Sequence, residues 1–60
     1  MSASVILQIA LSKARAAECR ERARNAVSAA IAREFESFAQ EYERDALELE
    51  MTLPAWRQAG

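Results

Sequence analysis

Residues 20–31 read RERARNAVSAAI, and this stretch decides whether the chain forms one helix or two. Asn25 can adopt the left-handed conformation that ends many helices, and Ser28 can act as the N-cap of a new helix. The arginines before Asn25 suit the C-terminal end of a helix because they complement its dipole. The sequence therefore favours a hairpin that reverses near 25–28, although AVSAAIA is also compatible with one continuous helix.

On either side of this stretch the sequence is typical of helices. The only proline is Pro54 and the only glycine is Gly60, and Ala, Leu, Glu and Arg are abundant before them. We therefore expect an all-α fold over residues 1–53. It is either an antiparallel two-helix hairpin or one long helix, followed by a C-terminal tail over residues 54–60.

Charge divides the chain into two halves. From Lys13 to Arg24 there are five positive and two negative side chains, and from Arg33 to Glu50 there are two positive and seven negative ones. An antiparallel pairing places the basic half beside the acidic half, whereas a parallel, in-register pairing places like charges together. We expect an antiparallel homodimer, formed by straight helices or by two hairpins that make a four-helix bundle.

Two apolar stripes predict the residues of the dimer seam. The first has heptad spacing and small side chains after its first two members, whereas the bulkier second stripe repeats every eleven residues. The second stripe consists of Val27, Ile31, Phe35, Phe38, Tyr42, Ala46, Leu49 and Leu53. From both stripes we predict a dimer seam of Val5, Ile9, Ala16, Cys19, Ala23, Ala26, Ala30, Ile31, Phe35 and Phe38.

The chain has few means of stabilising itself other than association. A folded chain of 60 residues buries only about 60% of its unfolded surface. Cys19 is the only cysteine and there is no histidine, so we expect no intrachain disulfide, metal site or cofactor. We interpret Cys19 as a small core residue rather than a reactive thiol, because the chain offers no histidine as a base. We also expect no catalytic residues and hence no enzyme.

Two segments predict contacts with another protein. Apolar side chains between Val5 and Leu11 surround the helix, and a lone hairpin cannot bury all of them. In the tail, Trp56 either caps the end of the bundle or anchors a partner. We predict a small helical protein–protein interaction module that acts as an adaptor, regulatory subunit or inhibitor of a larger protein. Its predicted contacts are Ile6, Leu7, Leu11, Tyr42, Trp56 and Arg57.

The basic segment 13–24 supports an alternative, an RNA- or DNA-binding helical dimer. Its candidate phosphate contacts are Lys13, Arg15, Arg20, Arg22 and Arg24. The net charge of −1 and the glutamates within the segment weaken this interpretation. A spanning helix is not expected, because the longest apolar cluster is far shorter than the ~20 residues that one needs. A membrane-surface helix formed by the N-terminal segment is a third, weaker alternative, because basic residues are lacking nearby, so a membrane partner is not expected. A lone thiol and the lack of a basic leader predict a cytoplasmic protein.

Overall fold

The chain folds into two helices that pack against each other in antiparallel directions. In a computed structural model, which describes the backbone of residues 2–53 and the side chains of residues 4–53, α1 spans Ser2–Arg24 and α2 spans Ala29–Glu50. That part of the chain contains no strand. The all-α, two-helix hairpin is therefore confirmed, and the alternative of one long helix is wrong.

The end of α1 lies where the sequence predicts it, but its geometry differs. Arg22 and Arg24 occupy the last turn. The side-chain amide of Asn25 donates to the carbonyl oxygen of Glu21 over 3.1 Å, and the backbone amide of Asn25 donates to the same oxygen over 3.2 Å. No non-glycine residue in the described part of the chain has a positive φ, so Asn25 does not use the left-handed conformation that is open to it. Its side chain instead adds a second hydrogen bond to the Glu21 carbonyl, which the backbone amide of Asn25 already reaches.

Ser28 starts α2 as an N-cap. Its backbone is extended, with φ −146° and ψ 157°, and its hydroxyl oxygen accepts the amide of Ile31 over 3.2 Å. The Ser28 carbonyl accepts the amide of Ala32 over 3.0 Å, which is the first bond of the helical ladder. The predicted cap chemistry is thus present, and the four residues 25–28 suffice to reverse the chain.

The two helices meet along a seam of small side chains, which we call the internal seam. On α1, Ile9, Ala16 and Ala23 are buried at seven-residue intervals, and on α2 Ala39 and Ala46 are buried. Half-buried side chains fill the positions between them: Val5, Ser12, Cys19, Ala26, Ala32, Phe35, Tyr42, Leu49 and Leu53. Alanine at the line of contact lets two helices approach closely, and the larger residues flank that line.

The buried side of α2 therefore follows a seven-residue spacing, and the predicted eleven-residue stripe does not describe it. Ala39 is 0% exposed although the stripe omits it, whereas Phe38 beside it is 50% exposed. Val27 lies in the connection and is 93% exposed. Ala30 and Ile31 are also exposed within the hairpin. These residues are accordingly outside the contact between α1 and α2.

Candidate protein-interaction surface

One side of the hairpin carries ion pairs between the helices, and we call it the ion-paired face. Lys13 Nζ lies 3.3 Å from Glu50 Oε1. Arg20 makes two bonds to Glu43, from Nε to Oε2 over 3.2 Å and from Nη2 to Oε1 over 2.5 Å. The hydrogen bond and charge of Arg20 lower the pKa of Glu43, and Glu43 in turn raises the pKa of Arg20. Since these pairs join α1 to α2, they fix which residues lie level across the hairpin.

The opposite side contains two shallow grooves, and we call it the aromatic face. The groove nearer the connection is lined by Arg15, Glu18, Cys19, Arg22, Phe35, Phe38 and Tyr42. The second groove is lined by Gln8, Leu11, Ser12, Arg15, Asp45, Glu48, Leu49 and Thr52. Arg15 borders both grooves, so the aromatic face is continuous along the length of the hairpin.

Large apolar side chains remain accessible on the aromatic face. Phe38 is half exposed, and Leu11 and Ile31 are also exposed. Ile31 precedes Phe38 by seven residues and therefore lies on the same side of α2. Ile31 and Phe38, together with the half-buried Phe35 and Tyr42, form an apolar strip along α2 that charged side chains border, and Leu11 lies in the other groove. Such a strip is the surface expected of a helix-packing interface.

Further apolar side chains are exposed toward the open end of the hairpin, on both of its outer sides, and we call them together the open-end patch. Its exposed members are Ile6, Leu7, Leu47 and Met51, of which Met51 is 77% exposed. Leu7 lies on the side of α1 away from the internal seam, and Met51 lies likewise on the side of α2 away from it. A small groove lined by Ile6, Ile9, Lys13, Glu50 and Leu53 adjoins the patch on the ion-paired face.

The structure divides the predicted partner contacts between these two surfaces. Ile6 and Leu7 belong to the open-end patch, whereas Leu11 and Tyr42 line the grooves of the aromatic face. Trp56 and Arg57 lie outside the described residues. Leu7 and Leu11 are four residues apart on α1, so the two surfaces adjoin each other there.

The candidate phosphate contacts are also divided, and most are already paired with carboxylates. Lys13 and Arg20 bind α2 on the ion-paired face. Arg22 lies 3.6 Å from Glu18, and Arg24 pairs with Glu21. The hydrogen bond and charge of Arg24 lower the pKa of Glu21, with help from Asn25. The described part of the chain places no carboxylate within 4 Å of Arg15, the remaining member of the set.

The predicted seam residues have different environments within the hairpin. Ile9, Ala16 and Ala23 are buried, and Val5, Cys19, Ala26 and Phe35 are half-buried, so the contact between α1 and α2 covers them in part. Ala30, Ile31 and Phe38 stay exposed. The free thiol of Cys19 lies half-buried in the groove beside Phe35 and Phe38.

Sequence reasoning missed several residues that shape these surfaces. Leu47 and Met51 are four residues apart, a spacing that places them on one side of a helix and could have revealed the patch. Asp45 and Glu48 line the aromatic face, but in the sequence they merge into a longer acidic run.

Within residues 2–53, neither helix is long and apolar enough to cross a membrane. The described side chains contain no cluster of three or more His, Cys, Asp or Glu residues suited to a metal ion. No protein-family model, curated protein sequence or solved structure matches the chain.

Proposed function

We propose that this chain is a small helical protein–protein interaction module, an adaptor, regulatory subunit or inhibitor of a larger protein, that assembles as an antiparallel homodimer. The observation that supports it is where the large apolar side chains lie. Four of the five buried residues in the described part are alanines, and Ile9 is the fifth. The large side chains Leu7, Phe38, Leu47 and Met51 are each half exposed or more.

This distribution leaves a substantial part of the available hydrophobic stabilisation unused in a single hairpin. Burial of a Leu, Ile or Phe side chain contributes about 1.5–3 kcal/mol, and an alanine offers only one methyl group. Eight large apolar residues of the described part are substantially exposed. Association with another helical surface buries such residues without any change in the hairpin.

The aromatic face has suitable dimensions for a second hairpin. The Cα atoms extend over 42 × 17 × 14 Å. The broad side of the hairpin therefore covers on the order of 700 Å², close to the ~800 Å² that each partner buries in a stable protein complex. Two hairpins stacked on this side form a four-helix bundle.

The open-end patch remains for a larger protein. Leu7 and Met51 lie on the sides of their helices that face away from the internal seam, so a copy on the aromatic face leaves them accessible. Exposed leucine and methionine side chains suit the apolar groove or helix of a partner. In this arrangement the dimer and the partner use different residues.

Two pairs of measurements on the full chain test the proposal. Sedimentation at micromolar concentration is expected to show a dimer that Phe38→Ser weakens and Leu47→Ser does not. Cross-linking in lysate is expected to attach the chain to a distinct larger protein, with Leu47→Ser reducing the yield and Phe38→Ser leaving partner binding per hairpin intact. A monomer with no cross-linked protein at all would refute the proposal.

The RNA- or DNA-binding alternative gains no support from the geometry. Lys13 and Arg20 lie on one face and Arg15 on the other, and four of the five cations already have carboxylate partners. A phosphate-binding surface needs cations that converge on one side. Nucleic-acid affinity that falls steeply with salt would nevertheless favour this alternative over a protein partner.

A further inference from the structure

We infer that the aromatic face binds a second copy of this chain in one orientation, with α1 of each hairpin lying on α2 of the other and both connections at the same end. The inference rests on the proposed homodimer and specifies its interface. Charge complementarity across the aromatic face selects this orientation.

The ion pairs of the opposite face establish the levels of the residues involved. Lys13 lies level with Glu50, and Arg20 lies level with Glu43. Because both helices advance by about 1.5 Å per residue, Arg15 lies level with Glu48. By the same count Arg22 lies level with Glu41.

The two helices present different charges on the aromatic face. On α1 the grooves are lined by Arg15, Glu18 and Arg22. On α2 the groove-lining charges are Asp45 and Glu48, both negative. Glu41 and Glu34 precede Glu48 by seven and fourteen residues, so they continue the same line of carboxylates along α2. The α2 side of this face is therefore acidic, and the α1 side carries the cations.

Two-fold symmetry allows two ways of stacking the aromatic faces. If the connections lie at opposite ends, α2 lies on α2 of the copy, and the acidic line meets an identical acidic line with no cation between them. Like charges in direct opposition across an interface are unfavourable. Repulsion between the two acidic lines therefore disfavours this stacking along the whole length of α2.

If the connections lie at the same end, α1 lies on α2 of the copy. Arg15 is then level with the copy's Glu48, and Arg22 with its Glu41, and symmetry makes each contact twice. Glu18 is level with the copy's Asp45, but its own pair with Arg22 moderates that repulsion. Neighbouring helices run antiparallel in both ways of stacking, so the helix dipoles do not distinguish them and the side-chain charges decide.

The apolar residues agree with the same orientation. Phe35 and Phe38 lie in the half of the face near the connection, and Leu11 and Leu49 lie in the half near the open end. With the connections together, the aromatic rings of both copies meet at one level and the leucines meet at another. Aromatic pairs in such contact add favourable energy beyond the area they bury.

A distance measurement on the full chain tests the orientation. Val27 is 93% exposed in the connection, so a ketone-bearing amino acid there can carry a nitroxide label while Cys19 stays unchanged. Adjacent helices in a bundle lie about 10 Å apart, so we expect label separations below roughly 25 Å. Connections at opposite ends would separate the labels by at least the length of a 23-residue helix, about 35 Å.

The outcomes distinguish this inference from the proposed function. A sedimenting dimer with long label distances would overturn the orientation alone, because self-association would stand. A monomer would overturn the homodimer and the orientation together. If Leu47→Ser weakened the dimer and Phe38→Ser did not, the assignment of the aromatic face would be wrong.

Charge reversal supplies a second readout with a matched control. With both connections at one end, Glu48→Arg opposes Arg15 of the copy twice, and we expect the dimer dissociation constant to rise about three- to tenfold. With connections at opposite ends the same change would relieve repulsion and tighten the dimer, which would overturn the inference. Glu36→Arg places the same charge on the ion-paired side of α2, and we expect it to leave the dissociation constant unchanged.

Discussion

Ala39→Leu is expected to destabilise the hairpin strongly, although it adds only apolar atoms. Ala39 is 0% exposed and lies on the internal seam where α2 contacts α1 near Ala23. Three extra carbons at this point have no space unless the helices move apart. Overpacking of this kind costs about 1–3 kcal/mol. In a domain of this size each kcal/mol changes the melting temperature by roughly 4–8 °C, so a fall of about 5–20 °C is expected.

Melting followed by far-ultraviolet circular dichroism measures this effect, at several protein concentrations so that association is accounted for. Ala17→Leu is the matched control, because Ala17 is exposed in the middle of α1 and leucine is nearly as good a helix former as alanine. We expect the control to melt within a few degrees of the wild type. If Ala39→Leu melted at or above the wild-type temperature, the helices would not be in close contact at Ala39 and the internal seam would be misassigned.

Three further perturbations test local features. Ser28→Ala removes the cap of α2 and should lower the free energy of unfolding by about 1 kcal/mol in thermal melts. Ser28→Asp should retain most of the stability that the cap contributes, because aspartate is also a good N-cap. Asn25→Gly should not raise the melting temperature, since Asn25 has no positive φ to relieve and its bonds to Glu21 are lost; a more stable variant would contradict that geometry. Because Arg20 lowers the pKa of Glu43 below the ordinary 4.5, the unfolded chain binds more protons in acid. The resulting stability is fully present above pH 4.5 and is lost as the pH falls through the lower folded pKa. Melts of the wild type and Glu43→Gln from neutral pH to about pH 3 should differ in this acid-dependent part.

The features that the sequence predicted well are governed by local chemistry. Ser28 caps α2 through its own side chain and an amide three residues later, so neither tertiary contacts nor relatives were needed to expect it. The arginines at the end of α1 follow from the helix dipole in the same way. The charge halves predicted antiparallel pairing, and Lys13 and Arg20 do pair with α2, although within one chain.

The buried side of α2 was not predicted, because a large apolar side chain there is exposed while the small one beside it is buried. Phe38 is far more hydrophobic than Ala39, so an apolar pattern that follows side-chain size includes Phe38 and passes over its neighbour. Close contact between two helices selects the opposite residue, since only small side chains fit on the line of nearest approach. The readable signal was an alternation of small and large residues at heptad spacing, Ala32, Phe35, Ala39, Tyr42, Ala46 and Leu49.

The candidate interaction surface could be predicted only in part for a related reason. Sequence patterns identify which residues must be buried, but they do not say whether the cover comes from the same chain or from another. Leu11 and Phe38 are as strongly apolar as Ile9, yet of these three residues only Ile9 is buried within the hairpin. That distinction depends on the rotation of each helix about its axis, which the internal seam fixes and which no single segment reveals.

An alanine seam also links folding to assembly. Small side chains at Ala16, Ala23, Ala39 and Ala46 specify the register and the close approach of the helices, but each buries little apolar area. Larger side chains, which would bury more apolar area, lie on the aromatic face and at the open end. In the proposed dimer, the first of these surfaces is covered by a second hairpin that is itself stabilised by the same contact. A ligand that binds only the folded form stabilises it by mass action, and here that ligand is another copy of the chain. In the proposed dimer, therefore, the interior of the hairpin determines its shape, while the copy that covers its aromatic face supplies much of its stability.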